Sequence, residues 1–151
     1  MLFRSVEPTM TYIGLDLGEI SLGISRSDSG IIAYGVSTYR FKKENYEDAV
    51  NYISHYINSE KVDVVVLGLP KHMNNDIGIR ANISINFKES LEKLVHATIV
   101  LWDERLSTKQ ATYTLKEAGL STKKRQEKKD MLAAVLILQN YLDSKGESYA
   151  R

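Results

Sequence analysis

The feature that most constrains this chain is a change of hydrophobic period just after residue 41. Before it, residues 11–18, 21–27 and 31–41 read as three strands, with Asp28-Ser29-Gly30 as the turn between the last two. In 21–27 apolar Leu22 and Ile24 alternate with Ser21 and Ser25, the period of a half-buried strand. After it, Tyr46, Ala49, Val50, Ile53, Tyr56 and Ile57 fall on one helical stripe within 45–57. Strands and helices then alternate. An apolar run at 62–69 surrounds Asp63, a polar loop fills 70–78, and 81–94 is loosely helical. A buried strand follows at 98–102. Ser107 and Gln110 form a capping box for a helix that Gly119 ends, and a last helix runs over 126–143. A meander that gives way to strand–helix alternation predicts an α/β fold. Its sheet is mixed, an antiparallel three-strand meander followed by parallel strands, with helices on both faces.

Residues 1–10 read as a flexible leader ending after Pro8, and 11–151 as one domain. The absence of cysteine excludes disulfides and thiolate metal sites and fits a reducing cytosol, so a cytoplasmic location is expected. No stretch approaches the roughly 18 apolar residues of a membrane span. The formal net charge of +1 argues neither for nor against nucleic acid. Its distribution is more informative: Lys123, Lys124, Arg125, Lys128 and Lys129 crowd in immediately before Asp130. Such a run is more often a solvated face than a contact surface, but its position beside a carboxylate singles it out.

Asp16 lies among Ile13, Leu15 and Leu17, with Gly14 and Gly18 on either side. An ionised carboxylate in a strand is costly to bury unless a neighbouring turn or a bound cation compensates it. The flanking glycines leave the backbone open to a phosphate or a metal. Two further acidic positions stand at element ends. Asp103-Glu104 closes the strand Ile99-Val100-Leu101-Trp102, and Asp130 opens the apolar part of the last helix. The carboxyl ends of parallel strands share one edge of a sheet, where ligands bind. Carboxylates converging without Cys or His suit a hard cation, Mg²⁺ or Mn²⁺, and hence phosphate chemistry. Each residue also has a plainer role: Asp130 favours a helix start by the dipole, and Glu104 can pair with Arg105.

Four stretches carry a resemblance over about residues 11–143. They are Gly14-Leu15-Asp16-Leu17-Gly18, Val66-Leu67-Gly68-Leu69-Pro70, Trp102-Asp103-Glu104-Arg105-Leu106-Ser107-Thr108, and the helix from Asp130 to Leu142. In that order they resemble the motifs of the YqgF/RuvX family. The resemblance implies a ribonuclease-H-like fold and metal-dependent phosphodiester hydrolysis by a nuclease. The family was first described as Holliday-junction resolvases and later tied to maturation of precursor 16S ribosomal RNA. Asp16, Glu104 and Asp130 then correspond to the catalytic, metal-binding carboxylates, with Asp16 contacting both of two ions. Asp103 is held in reserve, because neighbouring strand residues face opposite ways.

The loop before the second helix, with Lys71 and Asn74, is expected to meet phosphate, as are Arg80, Arg105, Lys123, Lys124 and Arg125. Two departures from the family pattern weaken that grip. Asn75-Asp76 stands where relatives carry Gly and then Ser or Thr, and Glu19-Ile20-Ser21 where they carry Thr and basic residues. His55 and His96 read as surface or packing residues. The expected partner is nucleic acid, as precursor ribosomal RNA in ribosome biogenesis or as branched DNA, with precursor ribosomal particles as a further partner. No exposed apolar helix stripe calls for a dimer, so a monomer is expected.

Three other readings compete. A junction resolvase acting in recombination and repair shares the whole motif set. A sugar kinase or actin-like ATPase shares the Asp-x-Gly opening, but needs two such domains and a second Asp-Gly loop. A non-catalytic nucleic-acid-binding protein with the same fold would have no need of all three carboxylates.

Overall fold

The computed structural model is described for residues 9–70, 75–103 and 122–149. Strands β1 (Tyr12–Leu17), β2 (Ser21–Ser27) and β3 (Tyr34–Arg40) form the expected antiparallel meander. Gly18 N–H donates to the Ser21 carbonyl at 2.8 Å and closes the turn between the first two. Helix α1 (Tyr46–Glu60) follows, then β4 (Val64–Leu69), α2 (Asn75–Glu92), β5 (Thr98–Asp103) and α3 (Thr122–Tyr149). The sheet order is β3-β2-β1-β4-β5, with β4 parallel to β1 and β5 parallel to β4. This is the mixed sheet that the change of period predicts.

Strand alternation gives the sheet two unlike faces. Ile13, Leu15, Leu22, Ile24, Val65 and Leu67 point to α1 and α2, where they bury against Ile53, Ile57, Phe87 and Leu91. Tyr12, Val64 and Val66 point the other way and meet Ile137, Leu138 and Leu142 of α3. Helices therefore cover both faces. The stripe of α1 starts where Asn45 caps it by accepting from Asp48 N–H, and stops at Lys61, whose φ of 54° is left-handed.

The differences from the sequence reading are local. The third strand starts at Tyr34, not at 31. Ile31 and Ile32 are 68% and 64% exposed, in a loop held by Gln139. That side chain accepts from Ala33 N–H at 2.9 Å and donates to the Ile31 carbonyl at 2.8 Å. Asp63 precedes β4, and its carboxylate accepts Thr11 N–H at 2.8 Å. The fourth strand therefore escapes a buried charge. Residues 75–78, read as loop, already belong to α2, since Asn and Asp suit the first turn of a helix. The last helix runs longer than 126–143 at both ends. The helix expected at 107–119 and the leader up to residue 8 lie outside the described residues. No helix among the described residues is long and apolar enough to cross a membrane.

Candidate active site

Asp16 falls on the α3 face, in alternation with Tyr12 and Gly14, and directly opposite Gly23 of β2. Asp130 comes to the same spot from above. Its backbone lies so close over Gly23 that a Cβ there would overlap the Asp130 carbonyl oxygen. Gly23 thus touches both: paired with Asp16 across the strands, covered by Asp130 from the helix. The close approach repeats along α3. A Cβ at Gly14 would lie 2.5 Å from Ser25 Oγ and 2.7 Å from the Ala134 carbonyl, and one at Gly35 would lie 2.8 Å from Met131 Sδ. One glycine on each meander strand forms a track into which the helix sinks.

This track corrects one sequence inference. The space over Gly14 is filled by α3 and is not open to a ligand. At Gly18 a Cβ would find only ordinary contacts, 3.5 Å from the Ser21 carbonyl, so the opening lies on that side of Asp16.

The Asp130 carboxylate is held at both oxygens. Ser21 Oγ donates to Oδ2 at 2.8 Å, and Gln126 Nε2 donates to Oδ1 at 3.1 Å. The start of α3 is fixed to the sheet by Thr38, whose hydroxyl donates to the Glu127 carbonyl at 2.6 Å. Burial pushes the Asp130 carboxyl above the ordinary range, and it does so against those two hydrogen bonds and the nearby charges of Lys129 and Arg40, which pull it down. A carboxylate whose ionised form is disfavoured in the protein alone is suited to a cation that restores the charge balance. Ser21 was legible only as a departure from the family pattern. Its contact with Asp130 spans 109 residues of sequence, and no local signal announces it.

Asp103 alternates with Ile99 and Leu101, which pack on the α1/α2 core, so strand alternation puts it on the face opposite Asp16. Glu104, Arg105, Lys71 and Asn74 lie outside the described residues. Among the described residues no three His, Cys, Asp or Glu side chains come together. The donors that are described, Asp16 and Asp130, are carboxylates, the oxygen ligands that suit a hard divalent cation.

The expected phosphate contacts are spread out. Lys123, Lys124 and Arg125 stand in the first turn of α3, with Lys124 exposed. Arg80 is only half exposed, and its guanidinium lies 3.9 Å from Glu19, which also draws Lys43 to 4.0 Å. Acidic Glu19, where basic residues were expected, therefore neutralises cations on the α2 side of the site. His55 and His96 are exposed, in keeping with their reading as surface residues.

Known proteins resemble this chain in sequence and in fold. A protein of the Onion yellows phytoplasma named "Putative pre-16S rRNA nuclease" is 48% identical over 132 residues, covering 87% of this chain and 87% of its own. A protein of the same name from Staphylococcus carnosus is 45% identical over 138 residues, covering 90% of this chain and 97% of its own. Among solved structures, Thermus thermophilus RuvC in complex with a Holliday junction substrate superposes with a TM-score of 0.60 at 12% identity, covering 92% of this chain and 97% of that one. The Fowlpox virus resolvase in complex with Holliday junction DNA gives 0.53 at 12% identity, covering 90% of this chain and 99% of that one. At that identity the likeness is one of fold. The RuvX family model, described as Holliday junction resolvase, matches residues 10–144, and the chain belongs to that family.

Proposed function

We propose that this protein is a divalent-metal-dependent nuclease that cleaves precursor 16S ribosomal RNA during maturation of its 5′ end, with Asp16, Glu104 and Asp130 as the carboxylates of its active site. The observation that carries the reading is the approach of Asp16 and Asp130 to the same residue, Gly23, on one face of the sheet. Nearly full-length relatives at 45–48% identity bear the nuclease name and supply the substrate class. Glu104 takes the third place because Asp103 belongs to the other face.

The chain's own residues do three things at this site. Asp16, on the central strand, offers a carboxylate fixed by the sheet itself. Ser21 and Gln126 fix the orientation of the Asp130 carboxylate from two sides, so little freedom is lost when it takes up a cation. Burial raises the proton affinity of Asp130, so protons compete with the cation at this carboxylate and cation binding is favoured as pH rises. Asp16, Glu104 and Asp130 would hold Mg²⁺ or Mn²⁺, two ions in this reading. When bound, these supply Lewis acidity that activates water as the nucleophile and offsets charge on the phosphate. The cytoplasm, free or within precursor ribosomal particles, is where such a substrate would be met.

The test is cleavage of a precursor 16S RNA 5′ fragment by purified protein in Mn²⁺, with the ends mapped by primer extension. A discrete new 5′ end is expected, absent with Asp16→Asn. A four-way DNA junction cut in preference to that RNA would overturn the substrate. Tight RNA binding without cleavage by wild type would make the chain a non-catalytic binding protein.

A further inference from the structure

Three arginines whose side chains are described, Arg26, Arg40 and Arg80, stand around the sheet, and two of them are engaged by acids. Arg26 donates to Glu60 at 2.7 Å, Asp28 at 2.8 Å and the Tyr56 hydroxyl at 3.1 Å. Arg80 faces Glu19. Arg40 is different. It is exposed, and among the described residues no carboxylate lies within ion-pairing distance of it. It ends β3 and pairs with Ser21, so it shares the α3 face with the hydroxyl that holds Asp130. Two strand spacings, roughly 9.6 Å, separate β3 from β1 and Asp16.

Two plainer roles for Arg40 account for less. A counter-ion for Asp130 would sit on that carboxylate, yet the groups that hydrogen-bond to it are Ser21 and Gln126, and Arg40 reaches it only through its charge. A charge placed to protect the edge strand from pairing could stand on either face of β3. Arg40 instead lies on the face of the carboxylates, and its charge and that of half-buried Lys129 are both felt at Asp130. Glu19 neutralises the opposite flank. The cationic surface is therefore lopsided, toward β3 and the start of α3. A guanidinium can grip phosphate through two parallel hydrogen bonds where an ammonium acts as a point charge.

We propose that Arg40, supported by Lys129, binds a backbone phosphate flanking the scissile one and leads the RNA strand away from the carboxylates over the edge strand β3. This rests on the nuclease reading above.

The experiment measures fluorescence anisotropy of a short fluorescein-labelled single-stranded RNA, taken from the precursor 16S 5′ region, against salt concentration. The protein is the whole chain carrying Asp16→Asn, expected to hold substrate without cutting it. Adding Arg40→Ala is expected to weaken binding about tenfold at low salt. It should also flatten the plot of log K against log salt by about 0.7, the share of one single-strand phosphate. Arg40→Lys should restore the slope, with affinity only partly recovered. Lys88→Ala, on α2 of the other face, should change neither. An Arg40→Ala protein with unchanged slope and affinity overturns the proposal while leaving wild-type cleavage, and so the nuclease reading, intact. Failure of the Asp16→Asn parent to bind RNA, with no cleavage by wild type, overturns both. Equal loss in Arg40→Ala and Lys88→Ala would reduce Arg40 to general surface charge and also overturns the proposal.

Discussion

On the α1/α2 face the central strands present Ile13, Leu15, Leu22 and Ile24, all at most 1% exposed. On the α3 face the intervening positions of the same strands are Gly14, Asp16, Gly23 and Ser25. The first face is held by bulk and excludes water. The second trades bulk for closeness, letting the backbone of α3 come down onto the sheet and bring Asp130 beside Asp16. One strand pair thus serves stability on one side and carboxylate placement on the other, because strand side chains alternate. A core packed with large aliphatic groups tolerates some repacking. A helix seated on Gly23 does not, since the nearest atoms there are the backbone of Asp130 and Met131 and cannot rotate away.

The sharpest way to break that contrast is one methyl group on each face. Gly23→Ala drives a Cβ into the Asp130 carbonyl, so α3 must shift where the carboxylate is mounted. Misplacement of about 1 Å at a reacting centre can cost roughly 100-fold in rate. Cleavage is therefore expected to fall by about that factor, with a stability loss of about 1–3 kcal/mol. Ile53→Ala, on buried α1, should cost about 2–5 kcal/mol and leave the rate per folded molecule unchanged. Urea melts with initial rates scaled to the folded fraction compare the two. Equal rates in both variants would remove the distinction between the faces.

Ser21→Ala has a smaller effect. It removes one hydrogen bond to Asp130, worth about 0.5–1.5 kcal/mol, so cleavage should drop several-fold. Because that bond holds the Asp130 pKa down, its loss should move the acid limb of the pH–rate profile to higher pH. A drop in rate with an unmoved acid limb would mean that Ser21 acts only through packing.

The smallest effect concerns stability without metal. Burial raises the folded-state pKa of Asp130 above its unfolded value. Stability from this group is complete below the unfolded pKa and is lost as pH rises through the folded one. At neutral pH the ionised side chain is therefore a cost, as functional groups often are. In excess EDTA at neutral pH, Asp130→Asn should melt above wild type, and the gap should close on acidification below the ordinary carboxylate range. A lower melting temperature for Asp130→Asn at neutral pH would contradict this.

Much of this was legible in the sequence, and the limits have physical causes. The period change exposed the meander and the alternation, because side-chain spacing is a local property. Asp16 stood out as a charge inside an apolar run, and Asp130 as the charge that opens one. The glycine track was not legible. Gly14 reads as room for a ligand until one knows that α3 crosses that face. Ile31 and Ile32 look like strand, yet Gln139, more than 100 residues away, holds them in a loop. The pairing of Ser21 with Asp130 is equally non-local. Asp103 and Glu104 could be told apart in principle by parity, but only the packing of Ile99 and Leu101 says which parity faces the helix.

The central claim is that Asp16 and Asp130, brought together around Gly23, hold the cation. Titration calorimetry of Mn²⁺ into wild type, Asp16→Asn and Asp130→Asn tests it most directly, each protein first shown to be folded by its circular dichroism. The account predicts that either substitution weakens Mn²⁺ binding by at least about tenfold, the cost of one lost anionic ligand or more. Wild-type affinity in both variants would contradict it.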